Sequence, residues 1–200
     1  MSADKMTVGF KNIYYALMQD DVRGGATTYG TPKRFAGAMQ ATLNQNPSSQ
    51  TVYVDDVPVA TVTSVGVLEM ELGVDNITKE AAAELFAYRI DDNGVLLEAT
   101  RGKSPYIALG FESESIDGGK LMNWIYKGKL TVPSQEFQTK GESVEIKSQS
   151  VTAQFVNRLS DGERKVSVHS NDEGINAEVI LDWFEKVYVP VLTGGTTPTV

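Results

Sequence analysis

The chain has 200 residues, of which 41% are hydrophobic and 22% charged, enough apolar material for one globular domain with a core. Its net charge of −8 argues against a protein that binds nucleic acid or an anionic membrane surface, since binding to either needs clustered lysine and arginine. The chain has no cysteine and one histidine, which excludes disulfides, thiolate chemistry and a histidine-based metal cluster.

Most of the sequence alternates apolar and polar residues with the period of two that is typical of β-strands. Strands are predicted over Val8–Met18, Val57–Val74, Val95–Thr100, Tyr106–Ser113, Leu121–Val132, Glu142–Leu159 and Lys165–His169. Two stretches rich in turn-forming residues, Gln19–Arg34 and Ala41–Asp56, are predicted to be long loops or arms. The pattern favours a mainly β fold, an antiparallel sandwich or barrel, in a single domain over residues 1–190.

Two segments change to a helical period and are predicted to flank the sheet. The first is capped by Thr78, and its apolar face consists of Ile77, Ala81, Leu85 and Phe86. The second is ended by Pro190, and its apolar stripe consists of Ile175, Val179, Ile180, Trp183, Phe184 and Val187. Residues 191–200 contain little apolar bulk and are predicted to form a flexible tail.

The central part of the sequence is predicted to be a hairpin. Asp117-Gly118 is the signal of a two-residue type I′ turn, which would pair Ile116 with Gly119. This register forms an apolar core face with two cross-strand pairs, Leu109 with Tyr126 and Phe111 with Trp124. The opposite face is predicted to be solvated or to form an interface, and it carries Glu112, Glu114, Asn123, Lys127 and Lys129.

Little in the sequence indicates catalysis. His169 is the one base available to a Ser-His-Asp arrangement, and it is interpreted as a surface histidine at a strand end, with Ser170 and Asp172 nearby by chance. Paired carboxylates are expected in an acidic chain and do not by themselves indicate a glycosidase. The sequence therefore predicts no catalytic, cofactor-binding or metal-binding residue. The N-terminal residues lack the apolar run of a signal peptide, so cytoplasmic synthesis is expected.

Residues 67–159 contain three consecutive blocks, "AYRIDDNGVLLEA", "SPYIALGFESES" and "GKLMNWIYKGKLTVPSQEFQTKGESVEI". In this order they resemble the major tail proteins of phages with long, flexible, non-contractile tails. The residues that carry the resemblance are Pro105, Ala108, Leu109, Gly110, Phe111, Trp124, Tyr126, Lys127, Gly128, Lys129, Pro133, Thr139 and Lys140.

The resemblance implies a tail-tube subunit, a β-sandwich that closes into hexameric rings. The rings would stack into a hollow tube in the virion tail, around the tape-measure protein and between the tail-end proteins, and would later let double-stranded DNA pass. Six subunits with four strands each would form a barrel of about 24 strands, with a backbone diameter on the order of 48 Å. Such an opening has room for a nucleic-acid duplex.

A tube that transports DNA must not hold it, because several phosphate contacts would slow its passage. A polar strand face rich in carboxylates is therefore expected to line the lumen, and the candidates are Glu69, Glu71, Glu112 and Glu114. The segments 19–34, 41–56 and 191–200 are candidates for contacts between rings.

Two other functions remain open from the sequence. A carbohydrate- or cell-surface-binding β-sandwich would need an exposed aromatic platform, for which Tyr14, Tyr15 and Tyr29 are the remaining candidates. A hydrolase that uses two carboxylates is the other alternative.

Overall fold

The computed structural model describes residues 7–45, 47–98, 102–133 and 149–190. The strands are β1 Thr7–Asp21, β2 Thr27–Tyr29, β3 Lys33–Arg34, β4 Ala38–Gln45, β5 Ser48–Val54, β6 Val57–Ser64, β7 Leu68–Val74, β8 Arg89–Ile90, β9 Leu96–Leu97, β10 Ile107–Ser115, β11 Lys120–Leu130, β12 Gln149–Phe155 and β13 Lys165–His169. The helices are α1 Lys79–Phe86 and α2 Ala177–Leu181.

Nine of the strands form one antiparallel sheet. Its order is β2-β1-β10-β11-β12-β7-β4, with β13 paired to β11 and β3 paired to β1. Strands β1 and β4 lie far apart in this order yet approach each other in space, so the sheet curls over itself. The predicted mainly β, antiparallel fold with flanking helices is confirmed, and the arrangement is consistent with a β-sandwich.

The larger core lies inside the curled sheet and beneath α1. Strand β7 shows why, since Leu68, Met70, Leu72 and Val74 alternate with less buried residues and all point inward. Helix α1 covers this core with Ala81, Ala82, Leu85 and Phe86. The Thr78 side chain accepts the Ala81 N–H at 3.2 Å, which confirms the predicted N-cap.

The smaller core lies on the other face of β10 and β11, beneath the C-terminal segment that follows α2. Helix α2 ends at Leu181, well before the end of the predicted apolar stripe. The Trp183 carbonyl oxygen accepts the indole N–H of Trp124 at 2.8 Å, and the Tyr188 carbonyl accepts the Tyr126 hydroxyl at 2.8 Å. These bonds use carbonyl groups that a continuing helix would need for its own hydrogen bonds.

Several predicted boundaries need correction. Val57–Val74 is two strands, because residues 65–67 separate β6 from β7. The predicted loops Gln19–Arg34 and Ala41–Asp56 contain strands instead, β2 and β3 in the first and most of β4 with β5 in the second. Of the predicted strands Val95–Thr100 and Glu142–Leu159, residues 99–100 and 142–148 lie outside the described residues, as does the predicted tail 191–200. Thr139 and Lys140, which belong to the resemblance, also lie outside them.

The turn of the β10–β11 hairpin has three residues, and the predicted two-residue turn is wrong. The Ser115 N–H donates to the Gly119 carbonyl at 2.9 Å, and the Gly118 N–H donates to the Ser115 carbonyl at 3.0 Å. Gly118 has a φ of +78°, whereas Asp117 keeps a negative φ, and its Oδ1 accepts the Gly119 N–H at 2.9 Å. Such a turn needs positive φ at one residue only, unlike type I′.

The longer turn moves the register by one residue from Glu114–Lys120 to Leu109–Ile125, and an irregularity beyond Leu109 returns Ile107 to its predicted partner, Gly128. Trp124 lies opposite Gly110 rather than Phe111, and Leu109 lies opposite Ile125. Because opposed residues share a face of the sheet, the apolar side chains divide between the two faces. The four predicted core residues are all buried, but Leu109 and Phe111 belong to the larger core, whereas Trp124 and Tyr126 belong to the smaller one.

The predicted polar face of the hairpin is largely buried. Glu112 is 3% exposed, Asn123 2% and Lys127 8%, whereas Glu114 is exposed and Lys129 half-buried. These residues no longer share one face. Asn123 lies opposite Phe111 of the larger core, whereas Glu112 lies opposite Met122 of the smaller core, so each face of the hairpin is covered and takes in a polar side chain.

Gly110 lets the Trp124 ring lie flat against β10. A Cβ at position 110 would be 2.8 Å from two carbons of the Trp124 ring, which is itself fully buried. Replacing Gly110 by alanine is therefore expected to lower the free energy of unfolding by about 1–3 kcal/mol, the usual cost of overpacking. Chemical denaturation followed by tryptophan fluorescence measures the loss.

Gly30→Ala is the matched control, because its added Cβ would meet no atom closer than 3.8 Å. We expect it to change the free energy of unfolding by less than about 0.5 kcal/mol. Equal losses in the two variants would contradict the proposed close packing.

Candidate functional site

One layer of the sheet has a polar outer face, which we call the polar face. Strands β4, β7 and β12 pair in register, with Thr42 and Thr152 both opposite Glu71, and Asn44 and Gln154 both opposite Glu69. Their inward neighbours on β7 and β12 are the buried residues of the larger core. The polar face consists of Gln40, Thr42, Asn44, Glu69, Glu71, Ser150, Thr152 and Gln154.

The polar face contains the first two predicted carboxylates. Glu71 is exposed and Glu69 is half-buried, and the two share this face as expected. Neither carboxylate makes a hydrogen bond or ion pair with another described residue. Lys129 extends the face onto β11, where its ammonium group lies 4.5 Å from the centre of the Tyr106 ring. The face is therefore dominated by neutral hydroxyl and amide groups, with two carboxylates that the described residues leave unpaired.

The other two predicted carboxylates lie on β10, away from the polar face, and differ from each other. Glu112 is buried and accepts a hydrogen bond from Asn12 Nδ2 at 2.9 Å, and the ammonium groups of Lys11 and Lys120 are 3.8 and 3.9 Å away. Glu114 is exposed and pairs with Lys11, which lowers the pKa of Glu114. The expectation that Glu112 lies on an exposed face is wrong, because it neutralises lysines beside the smaller core.

Strands β5 and β6 form a separate two-stranded sheet, which we call the arm (residues 48–64). Their pairing continues to Val54 opposite Val57, and the turn residues Asp55 and Asp56 have φ of +50° and +62°. Two successive residues with positive φ are typical of a type I′ hairpin turn. The arm thus contains a turn of the type I′ kind that the sequence analysis predicted at residues 117–118.

The arm exposes apolar side chains that belong to neither core. Tyr53 is 64% exposed and Val59 63%, and Val52 and Val57 are exposed as well. A hairpin of two strands is marginally stable by itself in water. Exposed apolar side chains that lie close together are typical of interaction sites.

Strand β4 forms an open edge of the main sheet. It is the last strand in the order and pairs with β7 on one side, so its other side has no strand partner within the described residues. Met39 and Leu43 of this strand are 49% and 37% exposed. An eight-residue edge strand with exposed apolar residues can add a strand from another chain.

A buried ion pair fixes the end of β1 to β11 and to the loop after β12. The Lys127 ammonium donates to Asp21 Oδ2 at 2.6 Å, and the N–H groups of Leu159 and Ser160 donate to the same carboxylate. Burial disfavours the charged carboxylate, but these hydrogen bonds outweigh it and lower the pKa of Asp21. The pair therefore contributes stability while the carboxylate is charged.

Replacing Asp21 by asparagine is expected to lower the free energy of unfolding at neutral pH by about 3 kcal/mol, because the buried Lys127 would lose its partner. The folded-state pKa of Asp21 lies below the unfolded-state value, so its stabilisation is complete above about pH 4 and disappears as the pH falls through the folded-state pKa. Urea titrations from pH 7 down to pH 3 should show the two proteins converging in acid.

Asp92→Asn is the control for this pair, since Asp92 is exposed and lies in the turn between β8 and β9. We expect a change below about 0.5 kcal/mol at every pH. A difference between wild type and Asp21→Asn that stayed constant down to pH 3 would show that the charge of Asp21 is not what stabilises the fold.

The interpretation of His169 as a surface residue is wrong, because it is 6% exposed and lies beneath the β10–β11 turn. Its Nδ1 accepts the Asn171 N–H at 3.3 Å, and its Nε2 lies 3.6 Å from Asp117 Oδ1. The Ser170 hydroxyl oxygen accepts the Lys120 N–H at 2.8 Å. These contacts join β13 to the hairpin turn and do not form a Ser-His-Asp arrangement.

The three tyrosines considered for a binding platform are engaged inside the protein. The Tyr14 ring stacks on Phe184 with centroids 4.7 Å apart. Tyr15 is buried and donates to Glu84, and the Tyr29 hydroxyl donates to the Tyr126 carbonyl at 3.1 Å. They do not form an exposed aromatic surface.

Within the described residues, no helix is long and apolar enough to cross a membrane. No family model matches this chain, and no curated protein matches it significantly.

Proposed function

We propose that this protein is a structural subunit that assembles with copies of itself into stacked rings, forming the tail tube of a phage virion. The resemblance of residues 67–159 to major tail proteins suggested this function. The single observation that carries the proposal is the arm, a separate two-stranded sheet whose apolar side chains are exposed and belong to neither core. A second copy of the chain is the partner that the proposal assigns to it.

The open edge of β4 supports the formation of rings. A neighbouring copy that placed a strand beside β4 would satisfy its free backbone groups and cover Met39 and Leu43. Repeating this contact around a closed ring would leave no copy with an open β4 edge, as in a closed barrel. The arm would then be available for contacts with the next ring.

The polar face is the surface that the proposal assigns to the lumen. It spans β4, β7 and β12, and Lys129 continues it onto β11, so one subunit would supply four strands to the inner wall. Its carboxylates and neutral polar groups offer no cluster of cations to DNA phosphates. Of the four predicted lumen residues, Glu69 and Glu71 keep this role in the proposal, whereas Glu112 and Glu114 lie outside the polar face.

Electron microscopy of the concentrated protein in negative stain tests the proposal directly, and rings or tubes are expected. Replacing Val59 by aspartate should weaken assembly, because the arm would have to bury a charge at its contact. We expect the protein concentration needed for assembly to rise by about tenfold or more, while the unfolding free energy of the subunit changes by less than about 0.5 kcal/mol. Light scattering and sedimentation measure the assembly.

Val95→Asp is the matched control, since Val95 is 53% exposed and lies outside the arm. It makes the same chemical change and should leave assembly unaltered. Monodisperse monomers at every concentration tested would refute the proposed assembly, and equal weakening by both variants would refute the role of the arm.

Assembled tubes are expected to bind DNA weakly even at low salt, since the polar face carries free carboxylates. Co-sedimentation of labelled double-stranded DNA with tubes over a range of salt concentrations measures the affinity. Replacing both Glu69 and Glu71 by lysine should create strong, salt-dependent retention. Tight binding by wild-type tubes at low salt would contradict a lumen that lets DNA pass.

A further inference from the structure

The arm follows β4 in the chain and is joined to β7 by a second short connection, Val65–Val67, which is largely exposed. Val65 is 68% exposed and Val67 47%, so packing does not fix its path. One hydrogen bond does reach it, from Arg164 Nη1 to the Gly66 carbonyl oxygen at 2.9 Å. Within the described residues, no other hydrogen bond or ion pair joins the segment 47–67 to the body.

Arg164 is itself held firmly by the body. Its carbonyl oxygen accepts the Tyr126 N–H at 2.9 Å, and the next residue, Lys165, pairs with Ile125 of β11. Arg164 also follows the turn that begins at Arg158, and that turn is closed by the Arg158 N–H donating to the Glu163 carbonyl at 2.9 Å. The guanidinium group therefore extends from a fixed point of the central sheet.

We propose that Arg164 is a positioning residue, whose hydrogen bond to Gly66 sets the direction in which the arm leaves the body. The inference rests on the proposed function, because it concerns how the arm meets a second copy. A hydrogen bond from a charged donor is stronger than one between neutral groups, which suits the one hydrogen bond that the described residues of the body donate to this connection.

The hydrogen bond from Arg164 would affect assembly through the fraction of subunits whose arm points in the direction that the contact needs. If the arm samples many directions, the apparent affinity for the neighbouring copy falls in proportion to the fraction that points correctly. Loss of the Arg164 hydrogen bond should therefore weaken assembly without removing any residue of the contact surface. A change of about tenfold is expected from the loss of one charge-assisted hydrogen bond.

The direction of the arm can be measured in the unassembled subunit by pulsed electron spin resonance. The chain has no cysteine, so spin labels can be attached at two introduced cysteines without removing native ones. Ala60→Cys marks the arm and Ser167→Cys marks β13 of the body, and both positions are exposed. The measurement is made on dilute full-length protein that light scattering shows to be monomeric.

We expect one narrow distance distribution between the labels, and a distribution about twice as wide or wider in Arg164→Ala, because the connection would lose its fixed contact. Arg164→Lys keeps the charge and much of the stem, and should give a smaller broadening of the same sign. If Arg164→Ala fails to fold, the lysine variant carries the test. Arg89→Ala, which removes an exposed arginine on β8, should leave the distribution unchanged.

An unaltered distribution in a folded Arg164→Ala or Arg164→Lys variant would overturn the inference. This readout does not depend on assembly, so it separates the two proposals. Broadening in a protein that never assembles would support the role of Arg164 while refuting the tail-tube function. Unaltered distances in a protein that does assemble would refute the role of Arg164 while supporting the proposed assembly.

Discussion

The burial of the β10–β11 hairpin on both faces is the constraint on which the rest of the structure depends. One face forms part of the larger core with β1, β7, β12 and α1, and the other supports the smaller core with the C-terminal segment. Gly110 makes this possible, because the Trp124 ring occupies the space of a side chain on β10. The Trp124 indole N–H then donates a hydrogen bond to the Trp183 carbonyl oxygen, and this bond attaches the C-terminal segment to the sheet.

Burial of both faces brings charged groups into the interior, and the structure compensates each of them. Glu112 is hydrogen-bonded by Asn12, and Lys127 pairs with Asp21. Buried charges need such partners because the loss of water costs several kcal/mol per ion. Glu69 and Glu71, which pair with no other described residue, lie elsewhere, on the polar face of β4, β7 and β12. The hairpin thus belongs to the frame of the domain, while the outer layer is available for function.

The proposed contacts between copies use the arm and the edge of β4, whose described apolar side chains lie largely outside the two cores. The arm and the edge of β4 expose apolar side chains and bury little of them against the described chain. The arm strands pair with each other, and β4 pairs with β7 on one side only within the described residues. A neighbouring copy can therefore pair with the other side of β4 without disturbing either core. Arg164 connects the two parts, since it is anchored in the central sheet and contacts the base of the arm.

The sequence by itself determined the strands whose side chains alternate against a core, such as β10, β11 and β13, and it determined the start of α1 through Thr78. It missed β4 and β5, because an edge strand and a projecting arm bury few side chains and leave no clear alternation. Only the tertiary structure decided the hairpin register, which depends on the bonds around Gly118 and on a second covering layer. It likewise decided where α2 ends, because the carbonyl oxygen of Trp183 accepts a hydrogen bond from the indole of Trp124, which lies far away in the chain. Local sequence patterns predict which residues are buried. They do not predict which segment covers those residues, because that segment lies far away in the chain.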